Sequence, residues 1–335
     1  MNVLITGGGG FLGRQLATTL RQRGKLGAPG GGETAITSIT LADLRFPPPA
    51  APAAGPVVTA VAGDLGDAAF VAGLVKPDTD AIFHLAAMVS GDGERDFDGC
   101  LRANLDGTRH LLEAARRTGR RPRVVFASSL AVFGGHTTEP VVSDRTKAVP
   151  QTTYGMTKLI GELFINDYSR RGFIDGRAAR LPTIFIRPGK PNAALSSFAS
   201  SLFREPLNGQ PCHLPVERTQ QAPLLSYRRV IDNLVRLAEV DGALFGSERT
   251  VTLPSTLYRI DQMIAALERV AARHGIRLGP IIDQPDPLVR KVVAEWPVGT
   301  DATRVPGLGL VNDPPLEEVI EHYLADFGPA RAKSA

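Results

Sequence analysis

Asn2-Val3-Leu4-Ile5-Thr6-Gly7-Gly8-Gly9-Gly10-Phe11-Leu12-Gly13 is the stretch whose reading decides the fold. The almost wholly apolar run Asn2–Thr6 predicts a strand buried on both faces. It stops in glycines, and beyond them Leu12, Leu16 and Leu20, with Ala17 beside them, recur at helical spacing as far as Gly24. A strand that turns through glycines into an amphipathic helix is the setting a dinucleotide requires. In this G-x-x-G-x-x-G pattern Gly7 permits the tight turn, Gly10 lets backbone approach a pyrophosphate, and Gly13 lets helix pack on strand. The first amides of the helix, at Phe11 and Leu12, and the helix dipole are then available to phosphates.

Working outward, the 335 residues suffice for one nucleotide-binding domain with a smaller domain attached. Lys and Arg total 38 against 34 Asp and Glu, and the resulting net charge of +4 is scattered rather than gathered into an arm or stripe. No nucleic-acid partner is expected from such a balance. Cys100 and Cys212 are too few and too far apart for a disulfide framework or a thiolate metal site, so no metal is expected. No apolar stretch is long enough for a bilayer, and no charged region precedes the first apolar run. The expectation is a soluble cytoplasmic protein without a membrane partner.

Gly24 to Thr34, rich in Gly and Pro, reads as a surface loop. Ile36 to Leu41 reads as a second strand ending at Asp43, an acidic residue where a dinucleotide site accepts hydrogen bonds from the adenosine ribose hydroxyls and repels a 2′-phosphate. That favours NAD over NADP, although Arg45 close by could accept a phosphate and Asp43 could be a solvated turn residue. Pro47 to Pro56 is low-complexity Pro/Ala sequence, expected to be an exposed loop. Val57 to Ala62 reads as a third strand, with Asp64 and Leu65 after it placed to touch adenine. A fourth strand, from Ala81, runs through His84 into Leu85, Ala86 and Ala87, whose small side chains let a cofactor lie close. His84 has no partner histidine at metal-ligand spacing and reads as structural. Ser90 faces the same crevice as a cofactor or substrate contact. Leu101 to Thr118 reads as a helix with Asn104 in its first turns, and Arg123 to Ala127 as a fifth strand that delivers Ser128 and Ser129. Alternating strands and helices predict an α/β, Rossmann-type, doubly wound parallel sheet.

Farther on stands Tyr154-Gly155-Met156-Thr157-Lys158. Tyrosine and lysine four apart share one helix face, so an ammonium can sit near the phenol. A phenol titrates near 10 and is a poor base at neutral pH. A neighbouring cation favours the phenolate, which is expected to bring Tyr154 toward working range. Tyr154 can then take the proton of a substrate hydroxyl as hydride leaves carbon, while Ser129 hydrogen-bonds the same oxygen and Lys158 also holds the nicotinamide ribose.

T-G-G-x-G-F-L-G at the start, the acidic strand end, H-L-A-A, S-S-x-A-V-F-G and Y-x-x-x-K together resemble the extended short-chain dehydrogenase/reductases. The resemblance implies Ser129, Tyr154 and Lys158 as catalytic triad, NAD as cofactor, and a homodimer packed through the helices that carry Asn104 and Tyr154. Leu130 and Ala131 stand where members that dehydrate nucleotide sugars carry an Asp-Glu pair, which argues against dehydration. Strings between Asn166 and Gly209, among them Arg187-Pro188-Gly189-Lys190-Pro191-Asn192 and Ser196-Ser197-Phe198-Ala199-Ser200, narrow it to members that oxidise the C2 hydroxyl of a four-carbon sugar acid, D-erythronate, with NAD. A nucleotide-sugar 4-epimerase using bound NAD is the alternative.

Arg187, Lys190 and Asn192 cluster after the sixth strand, where a cation can pair with a substrate carboxylate, and Arg228 with Arg229 is a second candidate anchor. Pro182 and Thr183 end that strand beside the nicotinamide carboxamide, and Leu195 to Gly209 caps the crevice with Ser197 and Phe198 turned inward toward substrate. The expected division is an NAD-binding domain over residues 1–190 and a mainly substrate-binding α/β domain over 191–335, with a return strand to the large sheet near 250–253. A helix from Tyr227 to Val240, another from Ile260 to His274, a last one from Leu316 to Phe327, and Trp296 as a packing residue complete the reading.

Overall fold

A computed structural model describes residues 1–28, 31–48, 54–135, 139–189, 195–294 and 296–328. Its principal strands, in chain order, are β1 (Asn2–Thr6), β2 (Ser38–Asp43), β3 (Val57–Ala62), β4 (Thr79–His84), β5 (Arg123–Ser129), β6 (Asp175–Leu181), β7 (Thr183–Phe185), β8 (Gln221–Ser226), β9 (Thr250–Thr252) and β10 (Thr256–Arg259). Its main helices are α1 (Phe11–Arg23), α2 (Ala68–Leu74), α3 (Gly107–Arg117), α4 (Thr153–Arg170), α5 (Phe198–Leu207), α6 (Tyr227–Glu239), α7 (Ile260–Arg273) and α8 (Leu316–Phe327).

Seven strands form one parallel sheet in the order β3-β2-β1-β4-β5-β6-β9. The first strand is apolar from Val3 to Ile5 because both of its faces are covered. Val3 and Ile5 enter a core with Leu16 and Leu20 of α1 and Leu234 of α6. Leu4 points the other way, to Val71 of α2, Leu111 of α3 and Ile165 of α4. Strand order reverses between β1 and β4, which opens a crevice at their carboxyl ends, where ligands bind in such sheets. A second core, around Phe185, Leu202, Phe203, Leu224 and Leu267, is built on the small sheet β7-β8-β10 with α5, α7 and α8.

Several boundaries differ from the expectation for physical reasons. Gly24, at φ +64°, ends α1, but the segment after it is a hairpin rather than a loop, with Lys25–Gly27 paired antiparallel to Glu33–Ala35. Its anchor is Leu26, fully buried, an isolated apolar residue that glycines and prolines around it disguise. Leu101–Asp106 is a π-helical stretch, and the α-helix proper starts at Gly107. Leu181 ends β6, and Pro182, which has no N–H to give the ladder, marks the point where the chain leaves the large sheet for β7 of the small one. Part of the Pro47–Pro56 segment lies outside the described residues. Past residue 190 the chain serves both cores, since α6 covers the large sheet and β9 pairs with β6. Among the described residues no helix is long and apolar enough to cross a membrane.

Candidate active site

The glycine turn is shaped as a phosphate cradle. Gly7 sits at φ +72°, and a Cβ there would lie 2.8 Å from the amide nitrogen of Ala86. A Cβ on Gly13 would fall 2.2 Å from the carbonyl oxygen of Gly7, so only glycine lets α1 approach the strand end. Gly10 is exposed, no side chain caps α1, and its first turn has no acidic residue. The amides of Phe11, Leu12 and Gly13 are therefore available to an outside acceptor. Asp43 accepts the Gly9 amide on Oδ2 at 3.0 Å, while its other oxygen makes no hydrogen bond among the described residues. Beyond β3, Asp64 accepts the Gly66 amide at 2.8 Å and pairs with Arg102 at 2.8 Å, and Leu65 is buried beside it. Amides without partners, a cradle that any Cβ would fill and a carboxylate with a vacant oxygen fit a dinucleotide with unphosphorylated ribose.

The acid–base group gathers at the carboxyl end of β5. Thr152 accepts the Gly155 amide at 3.0 Å and Glu94 accepts that of Thr153 at 2.9 Å, which fixes the start of α4 just where Tyr154 leaves it. Lys158, one turn on, is buried and donates to the Ala127 carbonyl at 2.8 Å, with Nζ 4.8 Å from the centre of the Phe126 ring and 5.6 Å from that of Tyr154. Ser129 accepts the Ala131 amide at 3.1 Å, and its hydroxyl favours the ionised form of the Tyr154 phenol. Contrary to the expectation, the phenol is pushed up. Burial outweighs the Ser129 hydroxyl and the positive charge of Arg187, and the cation that opposes burial is Arg187 rather than Lys158. Lys158 itself is lowered to about 8 by burial, against the pull of Cys100 and Glu162.

Arg187 follows β7 at the crevice. Its amide donates to Ser200 at 3.1 Å and its carbonyl accepts from Arg204 at 3.1 Å, so its backbone is held. Its guanidinium makes no hydrogen bond or ion pair among the described residues, and burial followed by Arg204 lowers its pKa. Among the described residues it is a held cation without a counter-ion, and its charge acts on the phenol.

Other candidates are distributed unevenly. Leu85 and Ala86 extend past β4 against Gly7, with Leu85 donating to the Thr6 carbonyl at 3.1 Å, and Ala87 follows them. Ser90 begins the short helix Ser90–Arg95, whose Gly93 backs onto Tyr154. Asn104 is buried and fully engaged: it accepts from the Met88 amide at 2.7 Å and donates to the Met88 carbonyl at 3.1 Å and Thr157 at 3.3 Å. It thus ties the end of β4 to α4 instead of presenting a free group to a cofactor. His84 is structural as expected. Thr108 donates to the Asn104 carbonyl at 2.5 Å, so it accepts from His84 Nε2 at 2.9 Å, and Nδ1 accepts from Thr6 at 2.6 Å. Burial, then Lys158, lowers this imidazole to about 3 and keeps it neutral.

Pro182 and Thr183 lie at the carboxyl end of β6, in the connection to the small sheet. Ser197 precedes α5, but Phe198 is buried in the second core, stacked on Trp296 with ring centres 6.4 Å apart, because its apolar ring finds a better partner there than a polar crevice. Lys190 and Asn192 lie outside the described residues. Arg228 is paired with Asp326 at 2.7 Å and Arg229 with Asp232 at 3.1 Å, so neither is a free anchor. The sequence reading missed Glu162 and Arg180, a buried pair beneath Lys158, whose one signal was charge at a helix position and a strand position otherwise given to apolar residues.

The model of the NAD dependent epimerase/dehydratase family matches residues 3–243. A D-erythronate dehydrogenase of Cupriavidus necator is 47% identical over 99% of this chain and 100% of its own length. A second, from Haemophilus influenzae, is 39% identical over 97% and 99%. The solved structure of a nucleoside-diphosphate-sugar epimerase from Agrobacterium tumefaciens superposes with TM-score 0.88 at 39% identity, covering 98% of this chain and 94% of that one. With its glycine cradle, strand-end aspartate and Ser-Tyr-Lys group on this sheet, the chain belongs to the NAD dependent epimerase/dehydratase family, the extended short-chain dehydrogenases, and takes NAD as its cofactor.

Proposed function

We propose that this NAD-dependent dehydrogenase oxidises the C2 hydroxyl of D-erythronate to 2-dehydro-D-erythronate, with Tyr154 as general base. The observation that carries the reading is the Arg187 guanidinium, which has no ion pair among the described residues and acts on the Tyr154 phenol. A small acid offers its carboxylate to such a cation and its neighbouring hydroxyl to the phenol. The two near-full-length relatives named for this activity support the same substrate.

Gly7, Gly10, Phe11, Leu12 and Gly13 hold the pyrophosphate, Asp43 the adenosine ribose, Asp64 and Leu65 the adenine side, Leu85, Ala86, Ala87 and Ser90 the middle of the crevice, and Pro182 and Thr183 the carboxamide end. Asn104 acts from behind this wall. Bound NAD supplies the hydride acceptor and a positive charge near the phenol. Arg187, with Lys190 and Asn192, orients the acid, Ser197 closes the crevice, and Phe198 supports it through Trp296. Ser129 donates to the C2 oxygen, Tyr154 Oη accepts its proton as C2–H is lost as hydride, and Lys158 supplies positive charge and a hold on the nicotinamide ribose. Because burial raises the phenol, oxidation speeds up with pH until Lys158 loses its proton.

NADH absorbance with D-erythronate, L-threonate and UDP-sugars, each with NAD and NADP, tests this. NADH is expected with D-erythronate and NAD and is lost in Tyr154→Phe. The similarity to a solved nucleoside-diphosphate-sugar epimerase favours one second reading, a nucleotide-sugar 4-epimerase. UDP-sugar interconversion without net NADH would establish that one instead. We also propose a cytoplasmic homodimer. Exposed Phe97, close before Asn104, and exposed Leu163 on α4 support packing through these helices, and a monomer mass by light scattering refutes it.

A further inference from the structure

Tyr154, Lys158 and Glu162 stand four residues apart on α4 and form one stripe facing β5. Glu162 is 4% exposed, yet its carboxylate takes three donors. Ser128 donates to Oε1 at 2.5 Å, Arg180 Nε to the same oxygen at 3.0 Å, and Arg180 Nη2 to Oε2 at 2.8 Å. Ser128 and Arg180 are register partners on β5 and β6. The carboxylate therefore fastens helix and both strands together beside Ser129 and beside Ala127, whose carbonyl receives Lys158. A buried ion pair of this kind costs desolvation that hydrophobic packing would avoid, so its presence under an acid–base group calls for a reason other than stability.

We propose that Glu162 is a positioning residue for the hydride-transfer site: it keeps the negative charge that holds Lys158 as an ammonium and locks the strand end that presents Ser129. This rests on reading Tyr154 and Lys158 as the acid–base pair. The groups that face Lys158 are Tyr154 and Glu162 on its own helix, neutral His84 on β4, the Cys100 thiol, pushed up mainly by burial, and Arg180 behind Glu162; Arg187 acts on the phenol. Glu162 and Cys100 are the two that raise Lys158 against burial, and Cys100 is a neutral thiol at working pH, so Glu162 supplies the standing charge.

The test reads Lys158 directly, without substrate. The ¹³Cε resonance of Lys158 in lysine-labelled protein, assigned through Lys158→Met, is titrated in wild type and in Glu162→Gln. The midpoint is expected to fall by about one pH unit in the variant. An unchanged midpoint in folded Glu162→Gln overturns the proposal, since a residue that only supports the fold would lower the melting temperature and leave Lys158 where it was. If Glu162→Gln alone does not fold, wild type is compared with the double variant Glu162→Gln/Arg180→Gln, which leaves no orphaned buried charge. The same fall between these two supports the proposal, and equal midpoints overturn it. In the NADH assay the high-pH limb of kcat should move down with the midpoint while KM stays within twofold. Because the resonance needs no turnover, loss of the D-erythronate reading leaves this test intact.

Discussion

At the scale of single residues the site is a contest between burial and charge. The phenol of Tyr154 is raised because water is removed from around it, and Ser129 and Arg187 recover part of that shift. Arg187 therefore has two effects that one substitution separates. Arg187→Gln removes a counter-ion for the substrate carboxylate, a loss of about 2 kcal/mol or roughly thirtyfold in KM. It also removes a positive charge acting on the phenol, so the ascending limb of the oxidation profile moves to higher pH. Initial rates of NADH formation against pH and substrate check both, and a variant with unchanged KM would separate Arg187 from the substrate. The placing of Ser129, Tyr154, Lys158 and Asp43 at strand and helix ends was legible in the sequence because each stands in a short pattern next to such an end. Glu162 with Arg180 was not, because the pair joins different elements and exists only once α4 has packed on β6. The displacement of Phe198 into the second core was equally invisible, since its stacking partner Trp296 lies far along the chain.

Elements were easiest to read where they are buried. β1 and α8 fall on the expected boundaries because a buried apolar run or stripe specifies them, and the exposed edge strand β3 does so on its β-branched sequence, whereas the Lys25–Gly27 hairpin strand rests on Leu26 alone. Between elements, His84 is a clamp: it joins β1 through Thr6 and α3 through Thr108 in a hydrogen-bond chain that works with a neutral imidazole. The folded pKa is about 3 against an ordinary 6.5. Below 6.5 the unfolded chain takes up a proton that the folded one refuses, so this contribution to stability is complete above 6.5 and is lost progressively as pH falls toward 3. Between pH 7 and 5.5 the melting temperature of the wild type should fall, and that of His84→Gln, lower to begin with, should fall less. Parallel slopes for the two proteins would show that His84 does not carry the effect.

Over the whole molecule the two cores share one chain too closely to act apart. β8 runs straight into α6, and that helix leaves the small sheet to bury Val230, Leu234 and Leu237 against the large one. Tyr227, its first residue, packs edge-on against Phe11 of α1 with ring centres 5.3 Å apart and also meets Phe327 of α8 at 5.7 Å. Residues 1–190 alone would uncover the sheet face that α6 closes. At about 1.5–3 kcal/mol for each large aliphatic side chain, its loss approaches the whole stability of an ordinary domain. The fragment is therefore expected not to fold, and the full chain to unfold in one step. Trp296 makes this measurable, because it is the single tryptophan and packs on the second core. In urea its fluorescence reports that core, while far-UV circular dichroism reports the whole. The two curves should coincide, and adding NAD, whose proposed phosphate cradle lies at the large sheet, should move both midpoints upward together. A fluorescence transition that stays in place while the dichroism shifts would mean that the second core unfolds independently of the cofactor-binding one.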